Sequence, residues 1–306
     1  MKGKILTELR SRKEIVSGEY LSSTLGISRV SVWKHIHKLQ ELGYNILATS
    51  NGYQLIDSPD TLYSWEFPGR EARIHYFPEL PSTMDTAKDL ARKNCPDFTV
   101  VIAGRQTEGR GRLSRQWLSG DGGLYFTLVL RPEIPVPMSA RVNFLASLTL
   151  ARVLREMYQI EAAVKWPNDI LVDDRKLSGM LSELEAEADR VFFINIGMGI
   201  NVNNDPTEVE PGAISLKKLL GREISRTRLL TGFLDKFENR LKNADFENAI
   251  SEWKQYTVTL QRPVRIVTQR EVSEGLAVDV DENGALIVKL ADGSFKKIIY
   301  GDCFHQ

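Results

Sequence analysis

Three arginines crowd into Gln106-Thr-Glu-Gly-Arg-Gly-Arg-Leu-Ser-Arg-Gln-Trp117. Gly109 and Gly111, set between them, open backbone geometries closed to other residues and let the chain approach a ligand closely. Arg110, Arg112 and Arg115 repel one another, so the segment has little reason to fold on itself. A bound anion would remove that repulsion and offer bidentate partners. The chemistry expected is a flexible loop that closes over a phosphate-bearing ligand, although a solvent-exposed basic turn has the same spacing. The run matches neither GxGxxG nor a P-loop, so neither a dinucleotide nor a Walker site is expected.

Val164-Lys-Trp-Pro-Asn-Asp169 is a second candidate. Lys165 at a strand end can neutralise a carboxylate or phosphate, and Pro167 fixes a turn. Asn168 and Asp169 present oxygens able to hold Mg²⁺ or a nucleotide. An ordinary strand-turn with Trp166 in the core reads the same way. Lys176-Leu-Ser-Gly-Met180 and Gly197-Met-Gly-Ile-Asn201 set small residues beside apolar strands. That suits a tight ligand pocket or simple close packing.

Such scattered residues need a scaffold to bring them together. Ser82 to Asn94 reads as a helix with a capping-box-like start at Ser82 and Asp85. Residues 99–103 and 124–130 read as strands. Ala140 to Tyr158 carries Phe144, Leu148, Ala151 and Leu154 at helical spacing, a face for packing on a sheet. Strands are expected around Val164 and Ile170 and over 177–184 and 192–202. Arg226 to Asn243 is again amphipathic, with Leu230, Phe233, Leu234, Phe237 and Leu241 on one side. The expectation is a mixed α/β domain with a largely antiparallel sheet. Short strands at 264–267, 276–280, 285–290 and 296–300, with turns at 281–284 and 291–293, predict a small β-barrel.

The first 58 residues differ. A short helix ends at Gly26, Ser28 caps a second helix from Arg29 to about Leu42, and Val32, Ile36 and Leu39 share one face. A hairpin is expected over 46–56 around Ser50-Asn51-Gly52, and Ser58-Pro59-Asp60 makes a turn-rich exit. This is the layout of a winged helix-turn-helix, with Gly18 to His37 as the helix-turn-helix. Ser28, Arg29, Ser31, Lys34 and His35 lie where groove-facing residues belong, with Lys38 a turn further on and Asn51 at the wing tip. A solvated helical hairpin fits the same residues.

Acidic and basic residues balance at 40 each, so any DNA-facing charge must be local. Cys95 and Cys303 lie outside any CxxC spacing, which excludes a disulfide framework or a structural zinc site. The apolar stretch 142–154 is interrupted by Asn143, Ser147, Thr149 and Arg152 and is shorter than the ~20 residues of a membrane span. Met1 to Arg10 mixes charges with apolar residues, unlike a signal peptide. A cytoplasmic protein with no membrane partner is expected.

Taken in order, Ser82-Thr83, Gln106, GRGR at 109–112 with Trp117, KWPND at 165–169, KLSG at 176–179 and GMGIN at 197–201 resemble the biotin protein ligase family. The winged helix in front and the barrel behind resemble its bifunctional members, the biotin-operon repressors, over essentially the whole chain. The resemblance implies a multidomain α+β protein. A winged helix-turn-helix would span 1–64, a mixed α/β ligase domain 65–258 and an SH3-like β-barrel 259–306. It implies biotin and ATP as substrates with Mg²⁺, a biotin carboxyl carrier protein and operator DNA as partners, and a homodimer formed on ligand binding by pairing sheet edges.

By the same resemblance Ser82, Thr83, Met84, Gln106, Arg110, Gly111, Arg112 and Lys165 contact biotin. Gly109, Arg110, Arg115, Trp117, Asn168, Asp169, Lys176, Gly179 and Asn201 contact ATP or the adenylate. Lys165 and Arg112 act in catalysis, and Asp169 is the metal candidate. Three departures stand out. Met84 lies where many members carry Asn, and Leu113-Ser114 replaces a more basic, glycine-containing loop centre. Asp302-Cys-Phe-His-Gln306 lacks the terminal Arg of some members. The implied reaction joins biotin to AMP and then to a carrier lysine. A ligand-sensing regulator without ligase activity and a lipoate-type ligase are the competing classes. The full lysine and arginine set argues against the first, and the GRGR…W loop against the second.

Overall fold

The computed structural model describes residues 1–306 except Lys13, Glu208, Ala244, Asp245, Glu247, Gln306 and the side chain of Ser114. The last two, in the tail and the loop centre noted above, therefore lie outside the described residues. The chain divides into two compact units, Met1–Ala72 and Arg73–Gln306.

The first unit begins with α1 (Lys2–Arg12), α2 (Gly18–Leu25) and α3 (Arg29–Glu41). Ser17 caps α2 by accepting from the Tyr20 N–H, and α2 stops at Gly26, whose φ of 63° closes the left-handed cap. Ser28 caps α3 by accepting from the Ser31 N–H at 3.2 Å. Ile5, Leu6 and Leu9 of α1 meet Val32, Ile36 and Leu39 of α3 in one core. β1 (Asn45–Thr49) and β2 (Gly52–Asp57) form the expected antiparallel hairpin. Val16 and Tyr53 exchange backbone hydrogen bonds of 2.8 and 2.9 Å. At Gly52, φ 145°, a Cβ would sit 2.2 Å from the Val16 oxygen, so only glycine fits this junction. The unit runs past residue 64, because Glu66 pairs with Arg10 at 2.9 Å and Trp65 donates to the Tyr44 hydroxyl at 2.9 Å.

The second unit is built on a seven-stranded sheet. Its strands are β3 (Ile74–Leu80), β4 (Thr99–Gln106), β5 (Leu124–Leu130), β6 (Ala163–Lys165), β7 (Asp169–Val172), β8 (Arg175–Glu187) and β9 (Arg190–Ile200). Their order is β3-β4-β5-β9-β8-β7-β6, antiparallel except for β3 beside β4. Adjacent residues on a strand face opposite sides, and β5 displays both. Thr127 bonds to Thr83 of α4 (Thr83–Arg92), while Phe126 packs against Phe233 of the long C-terminal-half helix 226–242, ring centroids 5.8 Å apart. That helix packs with α5 (Ser139–Tyr158), so α4 covers one face and these helices the other. In chain order the short α6 (Leu216–Leu220) precedes α7 (Arg226–Lys242), and α8 (Ala249–Tyr256) follows.

The segment expected as a barrel is a five-stranded antiparallel sheet. It contains β10 (Pro263–Val267), β11 (Val272–Val280), β12 (Leu286–Lys289), β13 (Phe295–Ile298) and β14 (Asp302–His305), in the order β13-β12-β11-β10-β14. β3, β14, α1, α6 and α8 had no specific expectation from sequence.

Candidate active site

The α4 side of the large sheet and the C-terminal strand enclose a cavity of about 360 Å³. One end is set by α4. Ser82 caps the helix by accepting from the Met84 N–H. Asp85, expected to complete a capping box, instead pairs with Arg110 at 2.5 Å, because a guanidinium outcompetes a neutral N–H for a carboxylate. Gln106 ends β4 and holds the helix start. Its Oε1 accepts from the Thr83 N–H (2.7 Å) and hydroxyl (3.0 Å), and its Nε2 donates to Ser119 (2.8 Å). The Thr83 hydroxyl in turn accepts from buried Thr127 at 2.8 Å.

The arginine loop is folded, not loose. Gly111 N–H donates to the Arg115 carbonyl, and Trp117 N–H to the Gly109 carbonyl, at 2.7 and 2.8 Å. Arg110, Arg112 and Arg115 have separate acceptors, which offset the mutual repulsion expected from sequence, although, after burial, Arg115 still helps lower the Arg112 pKa. Arg110 reaches Asp85, Arg115 meets Asp302 of β14 at 2.5 Å, and Arg112 donates to the Asn168 side chain (3.3 Å) and the Gly301 carbonyl (3.2 Å). Burial lowers the Arg112 guanidinium from its ordinary pKa, while Asp302 and Asp169 oppose that shift. Leu113 adopts a left-handed backbone at φ 51°, a strained state for a leucine worth about 1–3 kcal/mol.

Trp117 explains the two glycine motifs. Gly179 of β8 and Gly199 of β9 are paired in register, and the indole lies over both. A Cβ at Gly199 would stand 2.2 Å from Trp117 Nε1, and one at Gly179 2.9 Å from its ring. Lys176 stands 5.4 Å from the centre of that ring, and its ammonium meets Asp169 at 2.9 Å. Asn201, buried, closes β9 and accepts from Asn204 at 2.9 Å.

Lys165 is different. It ends β6 opposite Asp169 in the β6–β7 hairpin and lines the cavity, yet its side chain makes no hydrogen bond or ion pair with a described residue. Its charge is felt by its neighbours. It helps hold His305 down at about 4, although burial is the main cause, and it opposes the burial that pushes the Cys303 thiol up to about 12. A half-buried, uncommitted ammonium facing a cavity is arranged to meet an anion.

The cavity wall includes Ser82, Thr83, Met84, Gln106, Arg110, Gly111, Arg112, Arg115, Trp117, Lys165, Asn168, Asp169, Lys176, Gly179 and Asn201. Gly109 is not on it. That glycine lies beneath the loop, where a Cβ would stand 2.4 Å from the Trp117 carbonyl, so its part is to let the loop fold. Asp169 is committed to Lys176, and the described residues contain no cluster of three or more His, Cys, Asp or Glu able to hold a metal. Met180 and Met198, inside the two glycine motifs, are on the wall as well, and sequence reasoning missed Glu210, Asp302 and Phe304 there. Nothing local marks them, because β14 and the 206–213 segment arrive from far along the chain.

In the first unit Arg29, Lys34 and Lys38 are exposed on α3, and Asn51 at the hairpin tip. Ser31 and His35 are half-buried on the same helix. His35 turns toward the amino terminus and Lys2, and burial followed by those charges lowers its pKa. Val30 (63 % exposed) and Trp33 (55 %) occupy the solvent face, with Trp33 5.6 Å from His37.

This geometry, a cation-lined cavity on a mixed sheet with a helix-turn-helix elsewhere in the chain, has clear relatives. Residues 76–201 match the biotin/lipoate A/B protein ligase family, 2–54 an HTH domain, and 259–306 the biotin protein ligase C-terminal domain. The bifunctional ligase/repressor BirA of Bacillus subtilis (strain 168) is 36 % identical over 98 % of this chain and 97 % of its own length. Its namesake in Escherichia coli (strain K12) is 29 % identical over 97 % and 95 %. Among solved structures, the biotin protein ligase of Aquifex aeolicus in complex with biotin and ATP superposes with a TM-score of 0.65 at 29 % identity, covering 76 % of this chain and 98 % of that one. The chain belongs to the bifunctional ligase/repressor family of biotin protein ligases.

Proposed function

We propose that this protein is an ATP-dependent biotin protein ligase and a biotin-responsive repressor. It forms biotinoyl-5′-AMP, transfers biotin to a specific lysine of a biotin carboxyl carrier protein, and represses biotin-synthesis or transport genes. The observation that carries the ligase reading is uncommitted Lys165, sharing one cavity with half-buried Arg112 and with the Thr83–Gln106 clamp.

In this reading biotin's ring rests against Ser82, Thr83, Met84 and Gln106, and its carboxylate reaches Arg110, Gly111, Arg112 and Lys165. ATP takes the side of Arg115, Trp117, Asn168, Asp169, Lys176, Gly179 and Asn201, with Gly109 shaping the covering loop. A carboxylate oxygen attacks the α-phosphorus, and pyrophosphate leaves with the electrons of the broken P–O bond. Charge builds on the phosphoryl oxygens, where Lys165 and Arg112 offset it by position alone. Mg²⁺ would enter as part of the MgATP substrate, with Asp169 the carboxylate nearest the nucleotide side, since the described residues offer no protein cage for a metal. The neutral amine of the carrier lysine then attacks the anhydride carbonyl. An amide forms, AMP leaves, and the surplus proton passes to solvent. Until then the folded loop keeps water from the anhydride.

The three modules expected at 1–64, 65–258 and 259–306, the first reaching on through Trp65 and Glu66, divide this work into DNA reading, ligation and support of the arginine loop through Gly301 and Asp302. Arg29, Lys34 and Lys38 meet DNA, and Ser28 approaches it from the helix start. The protein acts in the cytoplasm; no described helix is long and apolar enough to cross a membrane. A homodimer on ligand binding would suit a two-fold operator. Incubation with biotin, MgATP and a carrier domain should give biotinylated carrier, and a lack of transfer would sink the enzyme reading. A gel shift with DNA upstream of biotin-synthesis genes, with and without biotin and ATP, tests the repressor. Binding indifferent to both ligands would refute it.

A further inference from the structure

Asn195 is fully buried on β9, and neither its Nδ2 nor its Oδ1 makes a hydrogen bond with a described residue. Buried carboxamides are almost always paired, because folding strips their water. The strand register shows where this one points. Residues two apart share a face, so Asn195 stands with Phe193, Gly197 and Gly199. Phe193 packs with Ala87 and Ala91 of α4, Gly199 lies beneath Trp117, and a Cβ at Gly197 would be 2.6 Å from Met84 Sδ. Its cross-strand neighbours offer no partner: Val129 is apolar, and Glu183 lies 3.7 Å from Lys88 and 3.8 Å from Arg110. The amide therefore lies under α4, one step along the strand from Gly197. Gly197 and Met84 both line the cavity.

Met84 is unbranched and turns about three bonds, which makes it a movable cover. Its thioether is at best a weak acceptor. We propose that Asn195 is a specificity-determining residue for the ring end of the ligand, reached when Met84 rotates off Gly197. This rests on the biotin reading above. The cyclic urea of biotin presents an acceptor oxygen beside N–H donors, the complement of a carboxamide. Nδ2–H donates to the urea oxygen, and Oδ1 accepts from a urea N–H.

The test is Asn195→Leu, close in size and free of polar atoms, in a steady-state assay with biotin, MgATP and a carrier domain. The KM for biotin should rise about tenfold or more, while the KM for ATP holds and Tm stays level or rises. An unchanged KM for biotin overturns the proposal. Asn195→Val, which suits a strand, is measured beside it. A fall in Tm in both variants assigns the amide to the fold and also overturns the proposal. If the wild type transfers no biotin, the biotin reading fails and this pairing with it. Normal wild-type transfer with Asn195→Leu unaffected overturns this proposal alone.

Discussion

Helix α3 carries Arg29, Val30, Trp33, Lys34 and Lys38 exposed along one continuous run of chain. The cavity draws Ser82, Gln106, Arg112, Lys165, Lys176 and Asp302 from segments far apart, and most of its charges are already tied to one another. On the helix Arg29 and Lys34 are exposed and Lys38 meets Glu41 of the same helix, so losing one charge costs little. In the cavity half-buried charges such as Arg112 and Lys165 are partly stripped of water, and each is worth more both to its neighbours and to a ligand. The two regions should therefore respond to substitution very differently.

The sharpest test of that contrast is Lys165→Ala. Pyrophosphate release should slow about 10³-fold or more, as expected for loss of a preorganised charge, or ~4 kcal/mol. A wild-type rate would mean that the cavity holds no reacting phosphate. Gly199→Ala comes next. Its Cβ would meet the indole at 2.2 Å on a strand fixed between β5 and β8, so Trp117 must move. The KM for ATP should rise about ten- to a hundredfold; an unchanged value would remove Trp117 from the nucleotide wall. Arg112→Ala frees one end of the loop, and biotinoyl-AMP should dissociate about tenfold faster in a stopped-flow trap experiment.

On the exposed side, Trp33→Ala should weaken operator binding about tenfold, an apolar contact's worth, and leave the ligase rate unchanged. A change in ligation would erase the contrast between the regions. The smallest effect concerns pH. Burial first, then Lys165 and Arg262, hold His305 at about 4 against an ordinary 6.5. Between those values the unfolded chain binds more protons than the native one, so stability falls as pH drops through this window and is fully restored above it. Tm followed from pH 7 downward should fall less steeply in His305→Asn. Equal slopes would show that His305 is not held neutral.

Much was readable in advance. Caps at Ser28 and Ser82, the stop at Gly26 and the apolar runs of β5 and β9 are local signals, and each lies where the sequence puts it. The chemistry of Arg110, Arg112 and Lys165 was also visible as an anion-handling set. The loop's closed form was not, because its anchors Asp85, Asn168, Gly301 and Asp302 come from four other segments. The half-burial of His35 was not legible from helical position, since the packing of α1 against α3 decides which residues face solvent.

By itself, then, the sequence determined residue types, local starts and stops, and the order of motifs that marks the family. Only the tertiary structure decided which cavity cations are committed to described residues and that Lys165 is not. It also showed that Gly179 and Gly199 pair beneath Trp117 and that Asn195 is buried without a partner among the described residues. The reason is physical. Propensity and capping act within a few residues, whereas desolvation and charge pairing depend on what long-range packing brings within a few ångströms.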